Sequence, residues 1–320
     1  MPEDTADGTA HAARIYDYIL GGKDHYPADR EAGDAMCREW PALPVHMRAN
    51  RDWMNRAVRW LAREAGIRQF LDIGSGIPTS PNIHEIAQSA APDARVVYVD
   101  NDPLVLALSQ GLLDSTPQGR TSYVEADMRD PAAILDSHAF RDTLDLAEPV
   151  ALTVIAIVHF LLDEHDAVGI VRRLLEPMPS GSYLAMSIGT AEFAPEEVGR
   201  VAREHAARDM PMRLRTLVPR QATFAPSRRP ARTLAAPGTS PSTSSTRTCT
   251  RHAESTHRTP LLDGQTLSAG ALAEAGKFFA GLDLVEPGIV QVHKWHPDGT
   301  DDAAIRDEDI AMYGAVARKP

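Results

Sequence analysis

The sequence predicts an α/β fold with a doubly wound, parallel sheet. Between residues 69 and 188, short apolar runs alternate with segments of helical periodicity, and this alternation is typical of strand–helix–strand units. The run at residues 150–158 is almost continuously apolar, as in strands that are buried on both faces. A Gly-Ser-Gly turn directly follows the first run, at residues 74–76. A sheet of this kind binds ligands at the carboxyl ends of its strands.

The predicted elements divide the chain into four regions. Three helices precede the sheet and make residues 1–66 an N-terminal helical cap. Residues 67–216 form the sheet core, residues 217–270 an insertion, and residues 271–320 a C-terminal helix with edge strands. The predicted helices are residues 13–20, 29–40, 47–65, 84–89, 103–113 and 167–175, and the predicted strands are residues 69–73, 95–99, 122–125, 150–158, 182–188, 282–292 and 311–317.

The insertion has an unusual composition. Residues 217–260 carry seven arginines and one glutamate, are rich in Pro, Ser and Thr, and show no apolar period. Such a segment cannot bury enough apolar surface to offset its ordering entropy, so we predict that it is disordered and has no catalytic role. It lacks the interleaved aromatic residues that a nucleic-acid-binding arm would use. Its composition would also fit a locally shifted reading frame.

The overall charge and the cysteines restrict the function. A net charge of −11 over 320 residues argues against a general nucleic-acid binder, because phosphate contacts need a surplus of Lys and Arg. Cys37 and Cys249 have no metal-ligand spacing, and no metal site is predicted. No signal peptide or membrane-spanning run is apparent, so a cytoplasmic protein with a small-molecule partner and no membrane partner is expected.

The first candidate site motif is the glycine turn after the first strand. Gly74 and Gly76 permit a tight turn and a close approach of a ligand to the backbone. A dinucleotide fingerprint would place a third glycine at Thr79,. Asp72, two residues before Gly74, would repel a pyrophosphate but attract a ligand that carries an ammonium and a sulfonium. This charge argument favours S-adenosylmethionine over NAD as the cofactor.

Two further acids end the next two strands. Asp100 ends the second strand and can accept hydrogen bonds from both ribose hydroxyls, and we group the adjacent Asn101 with it. Asp102 fits the cap of the following helix. Asp127 follows the third strand and can accept from the adenine amino group, while the Met128 thioether packs on the ring. Each acid alone could be a loop or cap residue, but three in register indicate a cofactor site.

These motifs resemble those of class I S-adenosylmethionine-dependent methyltransferases. More narrowly, the chain is similar to an actinobacterial S-adenosyl methyltransferase family, formerly a domain of unknown function. The resemblance lies in residues 13–25 with Leu-Gly-Gly-Lys-Asp, residues 48–78, residues 97–103 and residues 285–297. It implies a seven-stranded, mostly parallel Rossmann-like sheet with the two late strands as an antiparallel pair at its edge. Residues 217–270 depart from the family pattern.

The N-terminal motif predicts a cover for the cofactor. Tyr18 would present an aromatic face to the sulfonium, and Gly22, in the Gly-Gly pair, would belong to a hinge. The alternative is a core-packing helix with a Gly-Gly stop. A lid would exclude water from the methyl transfer.

The candidate catalytic residue is His159, which follows the fourth strand where the methyl acceptor would lie. A histidine there can take a proton from a hydroxyl as methyl transfer proceeds, although a structural histidine is equally compatible with the sequence. The predicted function is transfer of a methyl group to an oxygen or nitrogen of a small molecule. An S-adenosylmethionine sensor without turnover and, less favoured, an NAD-dependent oxidoreductase are the alternatives.

Overall fold

A central sheet with helices on both faces organises the protein. The computed structural model describes residues 8–112, 115–216, 274–299 and 305–320, and the predicted insertion at residues 217–270 lies outside them. The strands are β1 Gln69–Ile73, β2 Arg95–Asp100, β3 Arg120–Glu125, β4 Ala151–Val154, β5 Tyr183–Gly189, β6 Asp283–Leu284, β7 Val290–Gln291 and β8 Met312–Arg318. The α-helices are α1 Ala12–Ile19, α2 Pro27–Glu39, α3 Leu43–Arg63, α4 Ile83–Ala90, α5 Pro103–Leu112, α6 Pro131–Leu135, α7 His138–Thr143, α8 Ala167–Leu175 and α9 Pro195–Ala206.

The sheet order is β3-β2-β1-β4-β5-β8-β6, with β7 also paired to β8. The first five strands are parallel, and β8 runs antiparallel to β5. The order reverses at β1, so the carboxyl ends of β1, β2 and β4 border a topological switch point, where open α/β sheets bind ligands. The predicted α/β class and mostly parallel sheet are therefore confirmed.

The strand count departs from the predicted seven. The described residues contain eight strands, because β6 and β7 pair with different ends of β8 and share one edge of the sheet. The stretch at residues 282–292, which the sequence predicts as one strand, forms two strands. The predicted C-terminal helix is also wrong for the described part of residues 271–320, which contains short 3₁₀ turns at Ala275–Phe279, Val292–Lys294 and Asp307–Asp309 and no α-helix.

The fourth strand ends earlier than its apolar run predicts. β4 stops at Val154, Ala156 adopts a left-handed conformation with φ +53°, and a 3₁₀ turn follows at Val158–Phe160. Every residue of β4 is buried, and the apolar run continues past Val154. The sequence therefore carries no signal at the point where the strand ends. The early stop turns the chain at the edge of the switch point and brings His159 there.

The three N-terminal helices pack beside the sheet. α1 packs on α2, α2 on α9, and α3 on α4. Two predicted stops are confirmed: α1 ends just before Gly21 (φ +85°), and α3 ends near Gly66 (φ +71°). None of the described helices combines the length and the apolar character needed to cross a membrane.

The chain leaves and re-enters the described fold at one point. The backbone N–H of Ala275 donates to the carbonyl of Thr216 at 3.1 Å, and Arg213 forms an ion pair with Glu274 at 2.7 Å. Thr216 and Ala275 are therefore neighbours in space although 58 residues separate them in the sequence. A short link is long enough to join them.

We expect that residues 218–273 can be replaced by a four-residue Gly/Ser link without loss of the fold. Shortening a loop changes its closure entropy only slowly with length, by about 0.6 kcal/mol per doubling. Circular dichroism should show a cooperative melt, and calorimetry should show unchanged binding of S-adenosylhomocysteine. An insoluble product, or one that no longer binds this ligand, would show that the segment supports the fold or the site.

Candidate active site

A cavity of about 560 Å³ lies at the carboxyl ends of the parallel strands. Its volume is in the range of small-molecule sites, about 300–1,000 Å³. The strand ends supply one wall, and α1, α3, α9 and the turn after β4 supply the others. It is lined by eight of the ten predicted site residues: Asp72, Gly74, Gly76, Asp100, Asn101, Asp127, Met128 and His159.

The glycine turn closes directly over the end of β1. The N–H groups of Gly74 and Ser75 donate to the carbonyl of Val99, at 2.8 and 3.1 Å. Gly74 and Gly76 have φ of +71° and +64°, a region that other residues rarely adopt. A Cβ on Gly74 would lie 2.8 Å from Cγ1 of Ile157, which also lines the cavity. Position 74 therefore requires glycine for both backbone conformation and space.

Replacement of Gly74 by Ala should destabilise the protein by about 2–4 kcal/mol, since backbone strain and a steric clash both contribute. It should also weaken cofactor binding, because Ile157 must move. Gly66→Ala is the matched control: its φ is also +71°, but a Cβ there meets nothing within 4 Å. We expect about 1–2 kcal/mol for the control, measured by urea denaturation. Equal losses of unfolding free energy in Gly74→Ala and Gly66→Ala would contradict a role for the contact with Ile157.

Asp72 lies buried at the end of β1. Its Oδ1 accepts a hydrogen bond of 2.6 Å from the hydroxyl of Thr153 on β4. Burial raises the pKa of this carboxyl to about 6, although Thr153 and the positive charge of Arg51 act to lower it. The carboxylate is therefore held in a poorly solvated position, where a bound cation would stabilise its charged form.

Asp100 is fixed by backbone donors on both oxygens. The N–H of Gly76 donates to Oδ2 at 2.8 Å, and the N–H of Asp102 donates to Oδ1 at 3.0 Å. These bonds hold the carboxylate at the cavity wall with lone pairs left for further donors. Asp102 accepts from the N–H of Leu104 at 2.9 Å, so its predicted role as the cap of α5 is confirmed.

Asp127 and Met128 form the third part of the strand-end wall. The backbone N–H of Arg129 donates to Asp127 at 2.8 Å, and its guanidinium pairs with the same carboxylate. These bonds lower the pKa of Asp127. Asn101 donates to Asp127 at 3.3 Å, which links the ends of β2 and β3. Met128 is buried at the cavity wall.

His159 lies on the turn after β4, with its Nδ1 buried and without a hydrogen-bond partner. Burial, together with His205, His46 and Arg215, lowers its pKa to about 3, so the ring is neutral at pH 7. Buried Arg215 supports the turn by donating to the carbonyls of Val158 and Leu161, at 2.6 and 2.8 Å. The imidazole is therefore held in place beside the cavity, with Nδ1 covered by protein atoms.

The structure places Tyr18 and Gly22 away from the cavity, contrary to their predicted cofactor contacts. The Tyr18 hydroxyl donates to Asp34 at 2.7 Å on the exposed side of α1. A Cβ on Gly22 would overlap Asp17, whose carboxylate accepts from the N–H of Asp24. Gly22 therefore serves local packing. Tyr16, on the other flank of α1, lines the cavity instead.

The sequence interpretation also missed two residues of α3. Asn50 and Arg51 line the cavity, and each has a buried polar atom without a partner, Oδ1 and Nε respectively. The signal was present, because Arg51 lies three and seven residues before Met54 and Val58 and thus shares their apolar face,. A positively charged side chain on the apolar face of a helix indicates a functional position.

Comparisons with known proteins identify the family. The sequence model of a family described as S-adenosyl methyltransferase matches residues 2–244 and 236–320. The chain belongs to this family. The methyltransferase is 68% identical to a DUF574-family protein from Streptomyces avermitilis, with 98% of each chain covered and a TM-score of 0.79. It is 31% identical to a methyltransferase-like protein from Thermobifida fusca, with 98% of this chain and 96% of that one covered and a TM-score of 0.73.

No protein of curated function matches the chain. Family membership nevertheless decides the cofactor. The methyltransferase uses S-adenosylmethionine, and the NAD-dependent alternative is wrong.

Proposed function

We propose that this methyltransferase transfers a methyl group to an oxygen or nitrogen of a small molecule that binds beside His159. The observation that carries the proposal is the shared cavity: three strand-end acids line one part of it, and an unpartnered buried histidine lines another. A small-molecule acceptor suits a cavity of about 560 Å³.

The residues present fit S-adenosylmethionine. Asp72 is a carboxylate whose pKa is raised because burial removes it from solvent, so a bound cation would stabilise its charged form. Arg51 lines the same cavity and brings a positive charge to it, while its Nη2 donates to the backbone carbonyls of Thr79 and Pro81. The glycine turn leaves space at the strand end that a Cβ on Gly74 would restrict. An anion-accepting group and a cation-accepting group therefore lie on the same cavity, as an amino acid moiety with both charges requires.

Each strand end then has a role. Asp72 would hold the ammonium group, and Arg51 the carboxylate. Asp100, with Asn101 beside it, would accept from the ribose hydroxyls. Asp127 and Met128 would contact the adenine.

The chemistry depends on few protein groups. When bound, the cofactor supplies an electrophilic methyl group on a sulfonium. His159, neutral at pH 7, accepts the proton that the acceptor loses. Residues of α1, including Tyr16, line the cavity and would exclude water,. We propose residues 1–66 as the cap of this site. Orientation of the acceptor would supply much of the rate.

The test is calorimetric titration with S-adenosylmethionine, S-adenosylhomocysteine and NAD. We expect one site per chain for the first two and none for NAD. Asp100→Asn should weaken binding of both, whereas Asp93→Asn, an exposed pair partner of Arg68, should not. Unchanged binding in Asp100→Asn would contradict the proposed ribose contact. An acceptor screen with methylated product as the readout would then separate an enzyme from a sensor.

A further inference from the structure

Part of the cavity forms a chamber with aromatic and thioether walls. We define the acceptor chamber by six residues that line the cavity: Trp40, His46, Met47, Phe160, His205 and Met210. The ring centroids of Trp40 and His46 lie 4.9 Å apart, and those of Phe160 and His205 lie 6.0 Å apart. Methionine side chains adapt to apolar surfaces of varied shape, and aromatic rings offer them large contact areas. The acceptor chamber therefore suits a ligand with an apolar body.

The two histidines of the acceptor chamber are uncharged at pH 7. Burial lowers the pKa of His46 to about 4 and also lowers the pKa of His205. Both rings act in turn to lower the pKa of His159, which places all three imidazoles in one neighbourhood. A neutral imidazole has one nitrogen that donates a hydrogen bond and one that accepts.

Backbone groups decide which nitrogen of each ring carries the proton. The N–H of Ala311 donates to Nδ1 of His46 at 3.2 Å, so the proton of His46 lies on Nε2. Nδ1 of His205 lies 3.1 Å from the carbonyl of Val201. Because a carbonyl only accepts, the proton of His205 lies on Nδ1 and its Nε2 is unprotonated. Nε2 is therefore a donor on His46 and an acceptor on His205.

These two Nε2 atoms are available to a ligand, unlike Nδ1 of His159. Within the part of the chain that the structure describes, Nδ1 of His159 is both unbonded and covered by protein, whereas Nε2 of His46 and Nε2 of His205 are not among the atoms in that condition. The bonds that the described residues make to these two rings are at Nδ1. The rings are 8% and 6% exposed and both line the cavity. The cavity therefore has a fixed neutral donor and a fixed neutral acceptor.

The charged groups nearby do not offer a charged ligand a strong partner. Arg215 donates to the carbonyls of Val158 and Leu161, so its guanidinium is already engaged. Asp209 lines the cavity but is exposed, and ion pairs of solvated carboxylates contribute little. Burial of a charge without a partner is unfavourable. The acceptor chamber therefore favours an uncharged ligand.

We infer that the methyl acceptor is an uncharged molecule with an apolar body that donates a hydrogen bond to Nε2 of His205 and accepts one from the Nε2–H of His46. The inference rests on the proposed function, because it describes the substrate of that reaction. His46 and His205 determine specificity by binding the acceptor. Amides and hydroxy ketones are compounds that carry both of the required groups.

The test compares three naphthalene compounds of nearly equal size. The amide 2-naphthamide has a donor and an acceptor, the ketone 2-acetylnaphthalene has only the acceptor, and 2-naphthoate is charged. The protein is first saturated with S-adenosylhomocysteine and checked by calorimetry, because failure at that step would contradict the proposed function rather than this inference. In fluorescence titrations the amide should bind about three- to tenfold more tightly than the ketone, and at least tenfold more tightly than the carboxylate. No binding of the amide, or equal binding of either other compound, would overturn the inference.

Two variants assign the two hydrogen bonds. An Asn side chain has polar atoms near the position of Nδ1, so His205→Asn and His46→Asn can keep the bonds to Val201 and Ala311 but lack Nε2. His205→Asn should weaken the amide alone and remove its preference over the ketone. His46→Asn should weaken both compounds by about three- to tenfold, since both have a carbonyl. The reverse pattern, or unchanged binding in both variants, would overturn the inference.

The matched control is His138→Asn, on the exposed side of α7 and outside the cavity lining, which should bind all three compounds like the wild type. Unchanged binding of S-adenosylhomocysteine shows that a variant is folded. Nitrogen-15 NMR of the wild-type histidines tests the tautomers without any variant. We expect the proton of His46 on Nε2 and that of His205 on Nδ1, and protons on the opposite nitrogens would overturn the inference.

Discussion

Replacement of Asp72 by Asn should weaken S-adenosylhomocysteine binding by roughly 30- to 150-fold, about 2–3 kcal/mol, because a charge-assisted hydrogen bond to the ammonium is lost. The same change should stabilise the cofactor-free protein at pH 7 by about 1–2 kcal/mol. The carboxylate is buried with a pKa raised to about 6, so its ionisation at pH 7 opposes folding. Calorimetry and thermal denaturation measure the two effects.

The contribution of Asp72 to the stability of the protein depends on pH, and the sign of this dependence can be stated. The folded pKa of Asp72 exceeds its ordinary value of 3.8, so this group favours the fold below pH 4, and that contribution is lost as the pH rises through 6. The stability gain of Asp72→Asn should therefore shrink towards pH 4. Binding of the ammonium shows the opposite trend in the wild type, since it weakens as the pH falls through 6. Asp93→Asn, on the exposed surface, should show no pH-dependent gain in stability and should keep the wild-type pH dependence of binding.

Replacement of Arg14 by Met should destabilise the protein by about 3–5 kcal/mol, because the change leaves buried charges without their partner. Arg14 lies in α1 and joins Asp29 at 3.0 Å to Asp102 at 3.2 Å. Asp29 is fully buried and Asp102 is 6% exposed. Urea denaturation of the variant should show the loss.

The matched control for Arg14 is Arg30→Met on the exposed side of α2, for which a change within about 0.5 kcal/mol is expected. Arg14→Lys should lie between the two, since it restores a charge but not the forked geometry. Equal stability of Arg14→Met and Arg30→Met would contradict an energetic role for the buried pair. Weaker cofactor binding in Arg14→Met alone would show that α1 supports the site.

Much of the sheet and of its strand-end wall could be predicted from the sequence. The periodicity of parallel strands and the acids that follow them are local signals, so Asp72, Asp100 and Asp127 were found. The end of β4 was not, because its apolar run continues past Val154. Local sequence patterns also do not show that β6 and β7 both pair with β8, since this pairing depends on how the two short strands share the edge of the sheet.

The helical part of the site was harder to predict. Ile15 and Ile19 define the buried face of α1, and both Tyr16 and Tyr18 flank that face at helical spacing. Only the docking of α1 on its neighbours decides which flank meets the cavity. The same holds for His46 and His205, whose approach to His159 arises from packing between elements that are far apart in the sequence. Local patterns do not contain that information.

The hydrogen bond between Thr216 and Ala275 also makes this position suitable for engineering. The segment that ends at Thr216 contains Leu214, which lines the cavity, and Arg215, which supports the turn of His159. A fluorescent domain inserted between the two hydrogen-bonded residues would be joined to Leu214, in the wall of the ligand site, through only two residues of backbone. We expect its emission to report whether the cavity is occupied. The site where the chain leaves and re-enters the fold could then serve as the insertion point of a biosensor.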